Sequence, residues 1–216
     1  MKILKGILIT LGLLVALVLL TALFVKKEVS AEAEIVIQRA QMEVYDYIRH
    51  LKNQEIYGTW YQMDPDMDIR HSGTDGTVGF TTFWEDDRMG EGSQRIVNLI
   101  PGERMDTKLR FVEPIESEME SYMITTAVNP NETKVIWGMR GRTPYPFNLL
   151  NLFMDYGKDF REGLQNLKGI LESPYFQAAP GAMTDTARQA GQQSAPLQNP
   201  PVSPALAGDT AIADTL

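Results

Sequence analysis

Residues 104–112 read RMDTKLRFV, and apolar or small side chains alternate with charged ones along them. Successive side chains of a β-strand lie on opposite faces. One face would carry Met105, Thr107, Leu109 and Phe111, and the other would carry Arg104, Asp106, Lys108 and Arg110. The pattern therefore predicts a strand of an antiparallel sheet that has one face in water and the other covered.

Six further strand-like runs lie on either side of this stretch. Turn-forming residues (Gly, Pro, Asn and Asp) separate many of them, at 73–76, 86–90, 101–102 and 129–131. Together with 104–112 they predict a seven-stranded antiparallel sheet, whose other strands are 32–37, 67–72, 78–85, 93–100, 118–128 and 133–142.

Two helices are expected to pack on this sheet. Apolar residues recur at spacings of three and four in 42–51, so one face of that helix is suited to burial. A long C-terminal helix is predicted from Phe147 to about Glu172, with a buried stripe formed by Phe153, Phe160, Leu164, Leu167 and Leu171. Glycines 157, 163 and 169 interrupt it, and each lowers the helix propensity by about 1 kcal/mol relative to alanine. They indicate either close packing against the sheet or a helix that moves over a cavity.

The N-terminus carries a long apolar run. Residues 7–25 contain no charge, and as a helix they would span about 28 Å, close to the thickness of a bilayer core. This predicts a single-pass transmembrane anchor within residues 1–31. A cleaved signal peptide is the alternative, because Val29-Ser30-Ala31 resembles a cleavage site. The lysines on the two sides of this apolar run are nearly equal in number, so they do not specify its orientation in the membrane. The short N-terminal tail favours a domain outside the cytoplasm.

Composition excludes several classes of function. The chain has no cysteine, so disulfides, thiolate catalysis and cysteine-based zinc sites are excluded. Its net charge is -8, and the middle of the chain is the most acidic part, so no nucleic-acid partner is expected. Beyond Ser173 the chain is rich in Ala, Gln, Pro, Gly, Ser and Thr, which predicts a disordered tail over 174–216.

Several local features accompany this predicted order of elements: Ile35-Val-Ile37, Ala40, Val44-Tyr45, Ile48, Tyr57, Trp60, Gly102-Glu-Arg104, Thr133-Lys-Val135, Trp137 and the terminal amphipathic helix. Together they resemble the SRPBCC or START-like superfamily, the polyketide cyclase/dehydrase-like proteins. The apolar helix before the first strand also fits the membrane-anchored subgroup of that superfamily. The resemblance covers about residues 32–172. One departure is Gln41, where the family usually has proline.

This resemblance implies an α+β helix-grip fold over residues 32–173, in which the sheet wraps around the C-terminal helix. It also implies a cavity for a lipid or other hydrophobic small molecule. Enzymatic activity occurs in only some branches of the family, and no catalytic residue can be transferred to this chain. The word cyclase is no evidence of cyclisation here.

The residues expected to line that cavity lie mainly on the sheet face that looks toward the long helix. Aromatic and methionine side chains suit an adaptable apolar site, although an ordinary filled core would use the same residues. Arg95, Arg110 and Arg140 are candidate head-group partners or solvated strand residues. The predicted ligand-binding residues are Phe80, Thr82, Trp84, Leu109, Phe111, Tyr122, Trp137, Met139, Phe153 and Met154.

No cofactor and no metal are expected. His50 and His71 lack the spacing of a metal site, and Glu85-Asp86-Asp87 is either a calcium ligand set or a solvated turn. Three functions stay open: a tethered binding module for an apolar molecule, an enzyme that uses a buried acid or base, and an envelope protein that recruits a protein partner.

Overall fold

Seven strands form one sheet in the computed structural model, which describes residues 2–64, 66–87 and 90–178. All seven predicted strands are confirmed, with ends that differ by a few residues. The strands are β1 (Glu28–Ile37), β2 (Asp68–Ser72), β3 (Thr81–Asp86), β4 (Gly90–Ile100), β5 (Arg104–Phe111), β6 (Ser117–Asn129) and β7 (Glu132–Arg142).

The sheet is antiparallel throughout, in the order β1-β7-β6-β5-β4-β3-β2. Strand β1 begins at Glu28, earlier than predicted, because residues 28–31 pair with 139–142 of β7. At the other end of the same pair, Ile37 lies opposite Thr133. The chain therefore enters and leaves this pair of strands at the same end of the sheet.

The helices are α1 (Lys2–Phe24), α2 (Gln41–Ile48), α3 (Leu51–Tyr57), α4 (Thr59–Met63), a 3-10 helix (Phe147–Leu152), α5 (Tyr156–Leu171) and α6 (Pro174–Ala178). Helix α5 packs on one face of the sheet, called the inner face here. Its buried residues Leu164, Leu167 and Leu171 join Val135 and Trp137 of β7 in the hydrophobic core. The predicted sheet with a packed C-terminal helix is thus confirmed.

The C-terminal helix is shorter than predicted. Residues 147–152 form the 3-10 helix, and α5 begins only at Tyr156, where the Asp155 side chain accepts a hydrogen bond from the backbone N of Lys158. Side-chain capping of this kind satisfies a donor that a helix start leaves unpaired. Because the chain bends here, Phe153 is 83% exposed, and its predicted place in the buried stripe is wrong.

Helix α1 is long and apolar enough to cross a membrane, and a signal sequence would meet the same criterion. Its C-terminal end contacts the 3-10 helix. Asn148 Nδ2 donates to the backbone O of Ala22 at 2.7 Å and of Val25 at 2.8 Å. The backbone N of Thr143 donates to the O of Lys27 at 2.8 Å. The end of α1 is therefore attached to the segment that follows β7.

The first residues of the predicted tail, 174–216, form a short helix. Helix α6 covers 174–178, and Phe176 is buried against Tyr47, with ring centroids 5.6 Å apart in an edge-on arrangement. The contact of Phe176 with Tyr47 therefore attaches this short helix to the domain. The rest of the predicted tail, 179–216, lies outside the described residues.

Candidate functional site: a cavity at one end of the sheet

A cavity of about 440 Å³ lies between the inner face of the sheet and the N-terminal turn of α5. It is lined by the last residues of β5 and β7 and the first residues of β6, which meet at the end of the sheet nearest α1. Toward the opposite end, the space between sheet and helices is filled by buried apolar side chains, those of Ile37, Val44, Ile48, Leu164 and Leu167. The gap between the sheet and α5 therefore lies at the end nearest α1, and the core packs the other end.

The walls of the cavity are mainly apolar. Five methionines take part, and their unbranched, polarisable side chains adapt to ligands of different shape. The apolar and aromatic lining residues are Trp60, Tyr61, Met63, Met67, Trp84, Leu109, Phe111, Pro114, Ile115, Met119, Met139, Leu150, Met154, Tyr156 and Phe160.

Five of the ten residues predicted to bind a ligand lie in this wall: Trp84, Leu109, Phe111, Met139 and Met154. They come from β3, β5, β7 and the segment before α5, so the fold brings together residues that are distant in sequence. Trp84 and Phe111 pack edge-on with ring centroids 5.7 Å apart. These residues form an aromatic corner at one side of the cavity.

Three other predicted residues, Phe80, Thr82 and Trp137, are on the inner face but belong to the filled core. Trp137 packs against Tyr57, Trp60 and Phe160, with centroids 5.2 to 5.5 Å apart. Phe80 stacks on His71. Thr82 is fully buried, and its Oγ1 has no hydrogen-bond partner within the described part of the chain. The expectation that these three line the cavity is not met.

The remaining two residues, Tyr122 and Phe153, point away from the cavity. Neighbours Ser121 and Met123 are buried on the inner face, so Tyr122 lies on the outer face, where its hydroxyl donates to Glu32 at 2.6 Å. Gly138 lies opposite and leaves room for its ring. The prediction for Tyr122 is wrong because β6 has large side chains on both faces, and that for Phe153 is wrong because the helix breaks before α5.

Two buried glutamines, which the sequence did not reveal, add polar groups to the cavity. Gln94 Nε2 donates to Gln54 Oε1 at 3.3 Å and to Thr107 Oγ1 at 3.1 Å. Gln54 and Gln94 line the cavity, and only 2% and 3% of their surfaces are exposed. Trp84 Nε1 is also buried and has no acceptor among the described residues. A ligand with one polar group could therefore be oriented here.

Two carboxylates, those of Glu113 and Asp159, lie in the wall. Desolvation by burial raises the pKa of Asp159, nearby Glu162 and Asp155 raise it further, and Lys158 acts in the opposite direction. Burial also raises the pKa of the Tyr61 hydroxyl. The cavity thus holds one acid that keeps its proton to a higher pH than an exposed aspartate does.

The other charged candidates lie away from the cavity. Arg110 and Arg140 pair with Glu116 and Glu120 on the outer face, and Arg95 is exposed on that face. These three arginines are therefore placed as solvated strand residues and not as partners of a ligand head group in this cavity. His71 is half-buried and pairs with Glu55.

The acidic turn at 85–87 takes part in an ion pair. Glu85 pairs with Arg70. Within residues 2–64, 66–87 and 90–178, no three His, Cys, Asp or Glu side chains are grouped so that they could hold a metal ion.

Comparison with known proteins gives a likeness of fold. No protein-family model and no curated protein matches the sequence. Norcoclaurine synthase from Thalictrum flavum superimposes with a TM-score of 0.52 at 6% identity, over 69% of this chain and 96% of that one. Protein MLL2253 from Mesorhizobium loti superimposes with a TM-score of 0.51 at 11% identity, over 67% of this chain and 97% of that one. Aha1 from Colwellia psychrerythraea superimposes with a TM-score of 0.46 at 18% identity, over 67% of this chain and 96% of that one.

Proposed function

We propose that this chain, whose sheet and C-terminal helix form the predicted helix-grip fold, is a membrane-anchored module that binds a lipid or other apolar small molecule. The cavity between the sheet and α5 carries this proposal. Its volume of about 440 Å³ falls within the roughly 300–1,000 Å³ usual for ligand sites. The buried pair Gln54 and Gln94 provides the few polar groups that such sites use for orientation.

Two observations support an anchor over a cleaved signal peptide. First, Val29, Ser30 and Ala31 lie inside β1, paired with Gly141, Arg140 and Met139. Cleavage after Ala31 would remove the part of an edge strand that precedes this point and leave the end of β7 unpaired on that side. The intact strand keeps the pairing of residues 28–31 with 139–142, which a cleaved chain would lack.

Second, the buried side chain of Asn148 donates to two carbonyls at the end of α1. If α1 were removed, this amide would lose both acceptors, and only water could replace them. A domain with a dedicated polar contact to α1 is suited to keeping it. The position of the domain outside the cytoplasm stays a prediction from the N-terminal tail.

Ligand binding can be tested on the full chain in lipid nanodiscs. The neutral dye N-phenyl-1-naphthylamine should gain fluorescence in the cavity and be displaced by unlabelled apolar molecules. Native mass spectrometry of protein purified in detergent should show a bound lipid-sized mass. Empty nanodiscs are the control, because the dye also partitions into lipid. A dye signal equal to that of empty nanodiscs, together with a protein mass that carries no adduct, would disprove ligand binding.

An enzyme is the second candidate, and Asp159 is the observation that favours it. A carboxylic acid in an apolar wall can serve as a general acid if its pKa approaches the working pH. Carbon-13 NMR of the Asp159 carboxyl, recorded as the pH is raised with an apolar molecule bound, would test this. A pKa at or below the ordinary aspartate value would remove Asp159 as the acid.

A further inference from the structure

The segment from Tyr145 to Met154, called the portal segment here, runs alongside α1. Tyr145 donates through its hydroxyl to the backbone O of Leu19 at 3.1 Å. Leu19 precedes the end of α1 at Phe24 by more than one turn, which is about 7–8 Å along the helix axis. The portal segment therefore reaches back along the last turns of the apolar helix and does not stop at its end.

The portal segment is also uncharged and largely apolar on its surface. Residues 143–154 read TPYPFNLLNLFM and contain no charged residue. Its exposed apolar residues are Tyr145 (39%), Phe147 (44%), Leu150 (49%), Leu152 (61%), Phe153 (83%) and Met154 (56%). So much exposed apolar surface in one short segment marks an interaction site and is unfavourable in water.

The same segment forms part of the cavity wall. Leu150 and Met154 line the cavity, whereas Phe147, Leu152 and Phe153 do not and instead face outward. Met63 of α4, half-exposed, lies on the cavity wall as well. One short piece of chain thus contacts α1, the cavity and the surroundings at once.

From this arrangement we infer that the portal segment inserts Phe147, Leu152 and Phe153 into the bilayer. It would thereby hold the cavity entrance, the side marked by the half-exposed lining residues Leu150, Met154 and Met63, against the leaflet. The inference rests on the proposed anchoring by α1. If α1 spans the membrane, its last turns lie within the lipid, and the portal segment bound to them must lie at the same depth. An apolar ligand can then pass between leaflet and cavity without crossing water, where its transfer would be unfavourable.

Lipid fits this surface better than a protein partner does, because the surface is continuous with the anchor helix. The neighbouring charges agree with an interfacial position. Lys26 and Lys27 follow the end of α1 after Val25, and Lys27 Nζ lies 5.9 Å from the centre of the Tyr145 ring. Lysine and tyrosine are both typical of the boundary between lipid and water.

The absence of cysteine allows a direct test, since one introduced cysteine is a unique labelling site. Phe153→Cys, labelled with the fluorophore NBD, would be reconstituted as the full chain in phosphatidylcholine vesicles. We expect blue-shifted emission and roughly threefold weaker iodide quenching than for a water-exposed label. Leu152→Cys is a second site, and both positions are exposed enough that replacement should not disturb folding.

Val128→Cys is the matched control. Val128 is an apolar residue that is 56% exposed, near the β6–β7 turn at the opposite end of the sheet from α1. Its label should stay in water. Equal iodide quenching at 153 and 128 would overturn the inference. So would a blue shift at 153 that disappears when protein is diluted at constant lipid, because that outcome indicates a second copy of the chain as the partner.

Carbonate extraction of the same vesicles separates this inference from the proposed anchor. If the protein stays with the vesicles while the label at 153 is exposed to water, only the insertion of the portal segment is contradicted. If the protein is released from the vesicles, the anchoring by α1 is contradicted, and the insertion of the portal segment with it. A functional check is the double variant L152E/F153E, which should slow dye transfer from vesicles about tenfold while leaving dye binding in detergent unchanged.

Discussion

Asn148 donates a hydrogen bond of 2.7 Å from Nδ2 to the backbone O of Ala22, and the two residues are 126 positions apart in the sequence. Both are fully buried. The last four carbonyls of a helix have no partner inside it, and Ala22 is among the last residues of α1. The Asn148 side chain therefore connects α1 to the segment that borders the cavity.

Replacing Asn148 with alanine should destabilise this junction. The change removes the donor to the Ala22 and Val25 carbonyls, but it also removes Asn148 Oδ1, a buried acceptor with no partner among the described residues. We therefore expect the free energy of unfolding to fall by about 1 kcal/mol. Thermal unfolding of the full chain in detergent micelles would measure it. Asn131→Ala, at an exposed position in the β6–β7 turn, should change little. Equal effects of both substitutions would contradict the role assigned to Asn148.

Two glycines of α5 should respond in opposite ways to alanine. A Cβ at Gly163 would lie 2.8 Å from Cζ3 of Trp137, whose ring is confined by other aromatic residues, so Gly163→Ala should destabilise the domain by about 1–3 kcal/mol. Nothing lies within 4 Å of a Cβ at Gly169, so Gly169→Ala should stabilise it by up to about 1 kcal/mol. Denaturant unfolding of both variants gives the comparison. A Gly163→Ala variant as stable as the unchanged protein, or more stable, would refute close packing at Gly163.

Filling the cavity should reduce ligand binding. Leu109→Trp adds a large side chain to the wall, and we expect roughly tenfold weaker binding of N-phenyl-1-naphthylamine. Val36→Trp is the matched control, because Val36 is an exposed apolar residue on the outer face. It should bind the dye like the unchanged protein. If Leu109→Trp binds normally while remaining folded, the dye occupies another place.

Ligand binding should weaken as the pH rises through the pKa of Asp159. Burial already raises this pKa, and a neutral apolar ligand beside the carboxyl would remove more water from it. The protonated form tolerates that desolvation and the ionised form does not, so affinity is highest on the acid side. Titration of the same dye at several pH values would show the slope, and Asp159→Asn should abolish it. A slope that persists in Asp159→Asn would assign the effect to another group.

Most of the fold could be predicted from local pattern. Strands of the sheet alternate with period two, and 104–112 does so because β5 has one wet face and one covered face. Turn residues separate most of the runs. The long C-terminal helix was less predictable, since apolar Phe147, Leu150 and Phe153 fit a helical stripe but lie in the 3-10 helix and the bend that follows it.

The cavity wall was only partly predictable. Trp84, Leu109 and Phe111 lie on strands whose alternation shows the inner face, so their direction follows from the sequence. In β6 large side chains occur on both faces, Met119 and Met123 inside against Tyr122 and Ile124 outside, and local pattern cannot distinguish them. Gln54 and Gln94 carry no signal either, because a glutamine is buried only when distant partners satisfy it.

The sequence by itself determined the set of strands, the apolar helix at the N-terminus and the absence of thiol chemistry, because each depends on residues that are close together in the chain. Only the tertiary structure decided which end of the space between sheet and α5 stays open, and that this end adjoins α1. Those features depend on contacts such as Asn148 with Ala22, between residues separated by most of the domain. A periodic pattern records which side of a strand or helix is covered, but not what covers it.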